Sequence, residues 1–152
     1  MKRLLLIVFV LMILAACEDT YDAPPQSQLQ ISLFNSSTGK STTSVVSAYG
    51  FGADSLWINK DTLSTVYLPL SSGDTTSYRL TFDNITDTVV LIHETRLKYE
   101  SMMTGFYNEY TLKEVWFTNH RIDSILIADT LVTSEWNENL KFYLHTLSGS
   151  GS

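Results

Sequence analysis

Cysteine is all but missing from this chain. Its one thiol, Cys17, has no partner for a disulfide within the chain. A covalent framework is therefore excluded as the source of stability, and with 152 residues none is needed, because a chain of this length buries roughly 68–70% of its unfolded surface. Basic residues are also scarce. Lys2 and Arg3 sit at the extreme start, which leaves 8 basic against 16 acidic residues, a net −8, in everything that follows. An acidic surface of that kind repels phosphate backbones, so nucleic acid is not an expected partner. A helical period is missing too: no stretch places apolar residues three and four apart over several turns.

The only long apolar run is at the start. Lys2 and Arg3 precede an unbroken apolar segment from Leu4 to Leu14, then Ala15 and Ala16, then Cys17. That order is the anatomy of a secretory signal peptide. Residues 4–16 would span roughly 20 Å as a helix, short of the ~30 Å hydrocarbon core, so a permanent membrane span is not expected. Leu14-Ala15-Ala16-Cys17 further resembles the bacterial lipobox. The resemblance implies cleavage between Ala16 and Cys17 and a diacylglyceryl group joined to the Cys17 sulfur. The thiolate is the side chain nucleophilic enough to take the lipid. Two or three acyl chains hold durably where one holds marginally, at about 0.8 kcal/mol per buried methylene. No other cofactor is expected.

Residues 18–27, EDTYDAPPQS, are acidic and carry two prolines without strand or helix period, and read as a solvated tether. Acidic residues directly after the lipidated cysteine resemble the export signal of some lipoproteins of the Bacteroidota. Localisation in the outer membrane is expected, with the periplasmic leaflet and the cell surface both open. The expected organisation is a signal peptide (1–16), lipidated cysteine and tether (17–27), a single β domain (28–147) and a short tail (148–152).

The domain consists of short runs rich in Val, Ile, Leu, Thr, Tyr and Phe between Ser, Thr, Asn, Asp and Gly clusters. Leu29, Ile31 and Leu33 alternate with polar residues, as do Tyr78, Leu80 and Phe82. Further strands are expected at Val45 to Tyr49, Ser55 to Ile58, Thr65 to Leu68, Thr88 to Glu94, Tyr107 to Thr118, Ile122 to Ala128 and Leu140 to His145. Eight or nine such strands favour an all-β, antiparallel two-sheet sandwich of immunoglobulin-like arrangement, with a small closed β-barrel as the alternative. An Asp-Ser/Thr-aliphatic tripeptide recurs at Asp54, Asp61, Asp87, Asp123 and Asp129. It is expected to mark strand entries, the carboxylate bonding local amides. The ordered spacing of a calcium loop is absent from it.

Tyr49-Gly50-Phe51-Gly52 leading to Asp54-Ser55-Leu56, Tyr67-Leu68-Pro69-Leu70, Thr104-Gly105-Phe106, Ile122-Asp123-Ser124-Ile125 and Lys141-Phe142-Tyr143 together resemble a family of small, uncharacterised Bacteroidota lipoproteins, a domain of unknown function. The resemblance runs from about Gln28 to His145. It implies a location and an all-β fold but no activity. Family members usually carry one more cysteine soon after the anchor and another directly before the glycine matching Gly105. Here Thr104 stands in that place, so a disulfide between tether and domain is excluded.

Catalytic motifs are wanting. Gly39-Lys40-Ser41 imitates the end of a phosphate loop, but Phe34 stands where its first glycine belongs, and a hairpin loop is expected. His93-Glu94 begins like a zinc-protease motif, yet position 97 is Leu97 and a strand would send the two side chains to opposite faces. His93, His120 and His145 are scattered, and no metal set is expected. Glu135 and Glu138 could flank a glycosidic bond, though solvated charge is the simpler reading.

Aromatic residues make up 12% of the chain. Trp136 lies in a polar stretch that strand alternation cannot bury, and Trp57 is flanked by Leu56 and Ile58. Both are candidate binding residues, since flat rings stack on sugars or anchor protein contacts. Packing over a core edge is the structural alternative for each. The expectation is a lipid-anchored, noncatalytic binding or accessory module for an envelope protein or a glycan. The alternatives are a structural envelope component and a small hydrolase.

Overall fold

The computed structural model of the protein describes residues 26–147. The expected signal peptide, Cys17 with most of the expected tether, and residues 148–152 lie outside the described residues.

Ten strands form two sheets and no helix occurs among the described residues. In chain order they are β1 (Gln28–Asn35), β2 (Ser44–Gly50), β3 (Leu56–Leu63), β4 (Thr65–Pro69), β5 (Thr75–Phe82), β6 (Ile85–Ser101), β7 (Gly105–Phe117), β8 (Ile122–Ile127), β9 (Leu131–Val132) and β10 (Glu138–Leu144). One sheet has the order β4-β1-β10-β8 and the other β3-β2-β5-β6-β7-β9. The sheets are not closed into a barrel. They share the sandwich architecture of immunoglobulin-like domains with a strand order of their own.

The period-two pattern decides what goes inside. Leu29, Ile31 and Leu33 of β1 and Leu140, Phe142 and Leu144 of β10 face Tyr78, Leu80 and Phe82 of β5 and Val89 and Leu91 of β6, in one buried cluster. Phe82 and Phe142 meet across the sheets edge to face, 6.4 Å between ring centroids. Each such ring contributes enough buried area that truncation to alanine costs about 3–5 kcal/mol.

One strand pair departs from the antiparallel expectation. β1 and β10 run parallel, from Gln30 opposite Glu138 to Asn35 opposite Leu144. Antiparallel pairing is demanded only where a tight turn joins neighbours. These two strands come from opposite ends of the domain, so no turn constrains them. Elsewhere the chain passes repeatedly between sheets. A single residue, Ser64, carries it from β3 to β4, and its carbonyl accepts the Leu33 amide at 2.9 Å.

The loop after β1 doubles back as the expected hairpin loop would, but the strands it joins, β1 and β2, lie in different sheets, so it is a crossover between them. The Asn35 side chain accepts the Ser37 and Thr38 amides, and Phe34 bridges to Ser41. The aspartate tripeptides need correction. Asp54 stands before β3, and Asp129 accepts the Leu131 amide at 2.9 Å on the way into β9. Asp61, Asp123 and Asp87 instead lie inside β3, β8 and β6. Asp87 is buried on the core face and receives Thr118 Oγ1 (2.7 Å) and the amides of His120, Arg121 and Ile122 (2.9, 2.7 and 2.9 Å). It thereby fixes the crossover from β7 to β8. Burial pushes its acidity toward the neutral form, but the hydrogen bonds from Thr118 and those three amides outweigh this and hold the carboxyl below the ordinary aspartate range.

Candidate functional site

β1 begins at one end of the sandwich, opposite Pro69 of β4, and there the walls of both sheets part. Gln26, Ser27, Gln28, Trp57, Pro69, Leu70, Phe106, Tyr107, Asn108 and Tyr110 line a cleft of about 400 Å³. Tyr110 is fixed by donating its hydroxyl to the Leu70 carbonyl at 3.1 Å. Tyr78 donates to the neighbouring Pro69 carbonyl, and burial drives its phenol well above the usual tyrosine range. The Pro69 and Leu70 carbonyls are therefore each held by a buried phenol.

The two tryptophans singled out in the sequence both contact Tyr67 of β4, through different parts of it. Trp57 donates its indole N–H to the Tyr67 carbonyl at 2.9 Å. Trp136, from the loop between β9 and β10, packs on the Tyr67 ring with centroids 5.4 Å apart and donates to the Gln26 carbonyl at 3.3 Å. Their indole nitrogens are satisfied while much of each ring is in solvent, 51% for Trp57 and 58% for Trp136. Both fold over an edge of the sandwich and still present a face. Trp57 lines the cleft itself, and Trp136 stands beside its Gln26 rim. Trp116 lies apart on the outer face of β7, its indole bonded to Glu114.

Tyr67 and Phe106 carried a signal in the sequence. They belong to Tyr67-Leu68-Pro69-Leu70 and Thr104-Gly105-Phe106, motif segments distant in the chain that the fold brings to this one end. Tyr107 and Tyr110 gave no such sign, because an aromatic residue in a strand is ordinarily core.

Two charged sites elsewhere are structural staples. Beyond the far end of β1, a hollow of about 310 Å³ contains Asp83 and Arg121, paired at 2.9 Å. Asp83 also accepts Ser44 Oγ and the Val45 amide. Burial opposes its ionisation, but the Arg121 guanidinium and those donors hold its carboxyl low. His93 is buried in β6, its Nε2 2.8 Å from Thr76 Oγ1 and its ring edge-on to Tyr110, while Glu94 is exposed, so the two do point apart. Desolvation holds the imidazole below its ordinary pKa, partly offset by Asp74. Glu138 pairs with Lys141 at 3.2 Å. Among the described residues no group of three or more His, Cys, Asp or Glu is placed to hold a metal ion.

Residues 43–144, from the entry to β2 through the end of β10, match a family of unknown function, DUF6452. The chain belongs to this family. The DUF6452 match takes in Trp57, Tyr67, Phe106 and Trp136 and leaves β1 outside it. No curated protein and no solved structure matches the chain.

Proposed function

We propose that this DUF6452 protein is an outer-membrane lipoprotein of a Bacteroidota envelope, tied to the bilayer by a diacylglyceryl group on Cys17, and that it works as a noncatalytic binding or accessory module. The anchor is supported by the order of charged start, apolar run, small residues and cysteine in residues 1–17. The binding role is supported by one observation above the others: half-exposed Trp57 lines a concave cleft with mixed polar and apolar walls, and half-exposed Trp136, packed on Tyr67, stands beside the Gln26 edge of it. Half-exposed indoles held by their N–H groups are rigid stacking surfaces. Little side-chain entropy is lost when a sugar ring or a protein segment lies on them. The ligand expected is an envelope glycan or an envelope protein.

Three substitutions test this reading. In native envelopes crosslinked and then solubilised, Trp57→Ala and Trp136→Ala should each weaken capture of the principal partner or glycan roughly tenfold, as truncation of an aromatic anchor does. Unchanged capture by both variants, with thermal unfolding intact, would remove the cleft from the account. Cys17→Ala should leave the leader uncut and abolish incorporation of labelled fatty acid; persistent labelling would remove the anchor.

A further inference from the structure

The β6–β7 hairpin outruns the sheet that holds it. β5 pairs with β6 no further than Ile92, and β9 meets β7 only at Tyr110 and Thr111. Residues 96–101 and 105–109 therefore pair with each other alone, as a two-stranded arm. Two-stranded ribbons are marginal in water. This one is braced on one face by Lys98, bonded to Glu109 at 2.8 Å and lying over the Tyr107 ring. On the other face Tyr99 and Phe106 meet edge to face at 5.2 Å, with Leu97 on the same side by strand alternation. Met102 and Met103 form the turn.

The arm ends in grease. Leu97, Tyr99, Met102, Met103 and Phe106 are all more than half exposed, and Met102 is 96% exposed. Single exposed apolar residues are ordinary, but five gathered on one finger mark a contact. Charge on the arm cancels: Arg96 and Lys98 balance Glu100 and Glu109, in a chain that is otherwise acidic.

Position narrows the occupant. Gln26, Ser27 and Gln28, where the described chain begins, line the same cleft as Phe106 and Tyr107. The methionines stand beyond Tyr107 by about 10 Å of strand, at ~3.3 Å per residue. Cys17 precedes Gln26 by nine residues, which reach no more than about 30 Å. We infer that the arm dips into the bilayer surface to which Cys17 is tied, seating Met102, Met103, Phe106 and Tyr99 among headgroups and upper acyl chains as a second, noncovalent contact. This rests on the anchored reading above. A convex finger tipped by unbranched, pliable methionines fits a fluid apolar medium better than a shaped protein pocket. Tyr99 supplies a ring suited to the interface. With the arm so placed, the cleft opens close to the membrane surface, and its ligand is one found there.

Nitroxide labelling tests it in the mature protein on phosphatidylethanolamine–phosphatidylglycerol vesicles. Once acylated, the Cys17 sulfur is a thioether, so Met102→Cys supplies the sole reactive thiol; in a chain found unacylated, Cys17→Ser serves the same end. A label at Met102→Cys should collide with oxygen more, and with a water-soluble nickel chelate severalfold less, than a label at Ser37→Cys in the exposed loop at the far end. Equal nickel access at both positions in lipid vesicles overturns the proposal and leaves the arm to a protein partner. The mass of the Cys17 peptide reads the anchor separately. Acylation with a wet arm sinks the inference alone, whereas a dry arm on an unacylated chain sinks the anchor alone.

Discussion

Asp87 occupies a place where the alternation of β6 asks for an apolar side chain, and its role explains why the domain tolerates it. Both oxygens are filled by N–H and O–H donors from the segment 118–122, which would otherwise cross between sheets with unpaired amides. Asp87→Asn keeps the volume but turns one acceptor into a donor facing donors. It should destabilise the domain by about 2–4 kcal/mol in urea unfolding, in line with losing charged hydrogen bonds inside a core. A change below half a kcal/mol would show the crossover to be held by other means. The depressed carboxyl also fixes a pH dependence. Its stabilisation is complete above the unfolded aspartate value of about 3.9 and is lost as pH falls through the lower folded value. His93 acts in the same direction at milder pH, because a depressed imidazole costs stability as pH falls below about 6.5 and the unfolded ring takes up a proton. Urea midpoints of His93→Gln between pH 7 and 5 should therefore fall less than those of the native chain, and an unchanged slope would contradict this. None of it is legible from residue type, since Asp87 looks like the other four aspartates of its tripeptide until the fold buries it.

At the scale of elements, the strands with a clear period of two, β1 and β5, were legible because alternation reports directly which face is buried. β9 was not, since Leu131–Val132 is too short to carry a period and is fixed from outside by the Asn139 amide donating to the Leu131 carbonyl at 2.7 Å. β6 was foreseen only to Glu94. Its outer half, Thr95 to Ser101, is paired with β7 but not packed against the core, and without burial there is no pattern to read. Trp57 and Trp136 were found because each breaks local alternation, whereas their shared contact with Tyr67 depends on the switch of sheets at Ser64, a tertiary fact. The arm also has a hinge of backbone that can be tested. Gly105 sits at φ +77° with open space around its missing Cβ, so Gly105→Ala should cost about 1–2 kcal/mol from backbone strain alone. Hydrogen exchange should show that loss in the amides of residues 96–109 while the β1 and β5 amides stay protected. Equal loss everywhere would mean the arm is part of the global folding unit.

For the molecule as a whole, two sheets of four and six strands, closed by the parallel pairing of the first and last strands, make a rigid body with one distinctive end. There the chain enters, Trp57, Trp136 and the cleft lie, and the apolar arm extends. The coincidence of these features at one pole, within reach of Cys17, makes the lipid the organising element of the proposal. Removing it should release the protein from the envelope without altering its unfolding, since the core cluster is built from side chains of residues 29–144. The most direct measurement is the mass of the amino-terminal peptide of the protein taken from its own cells. The account predicts that the mature chain starts at Cys17 with a diacylglyceryl thioether on its sulfur; a start at any other residue, or a free thiol at Cys17, would contradict it.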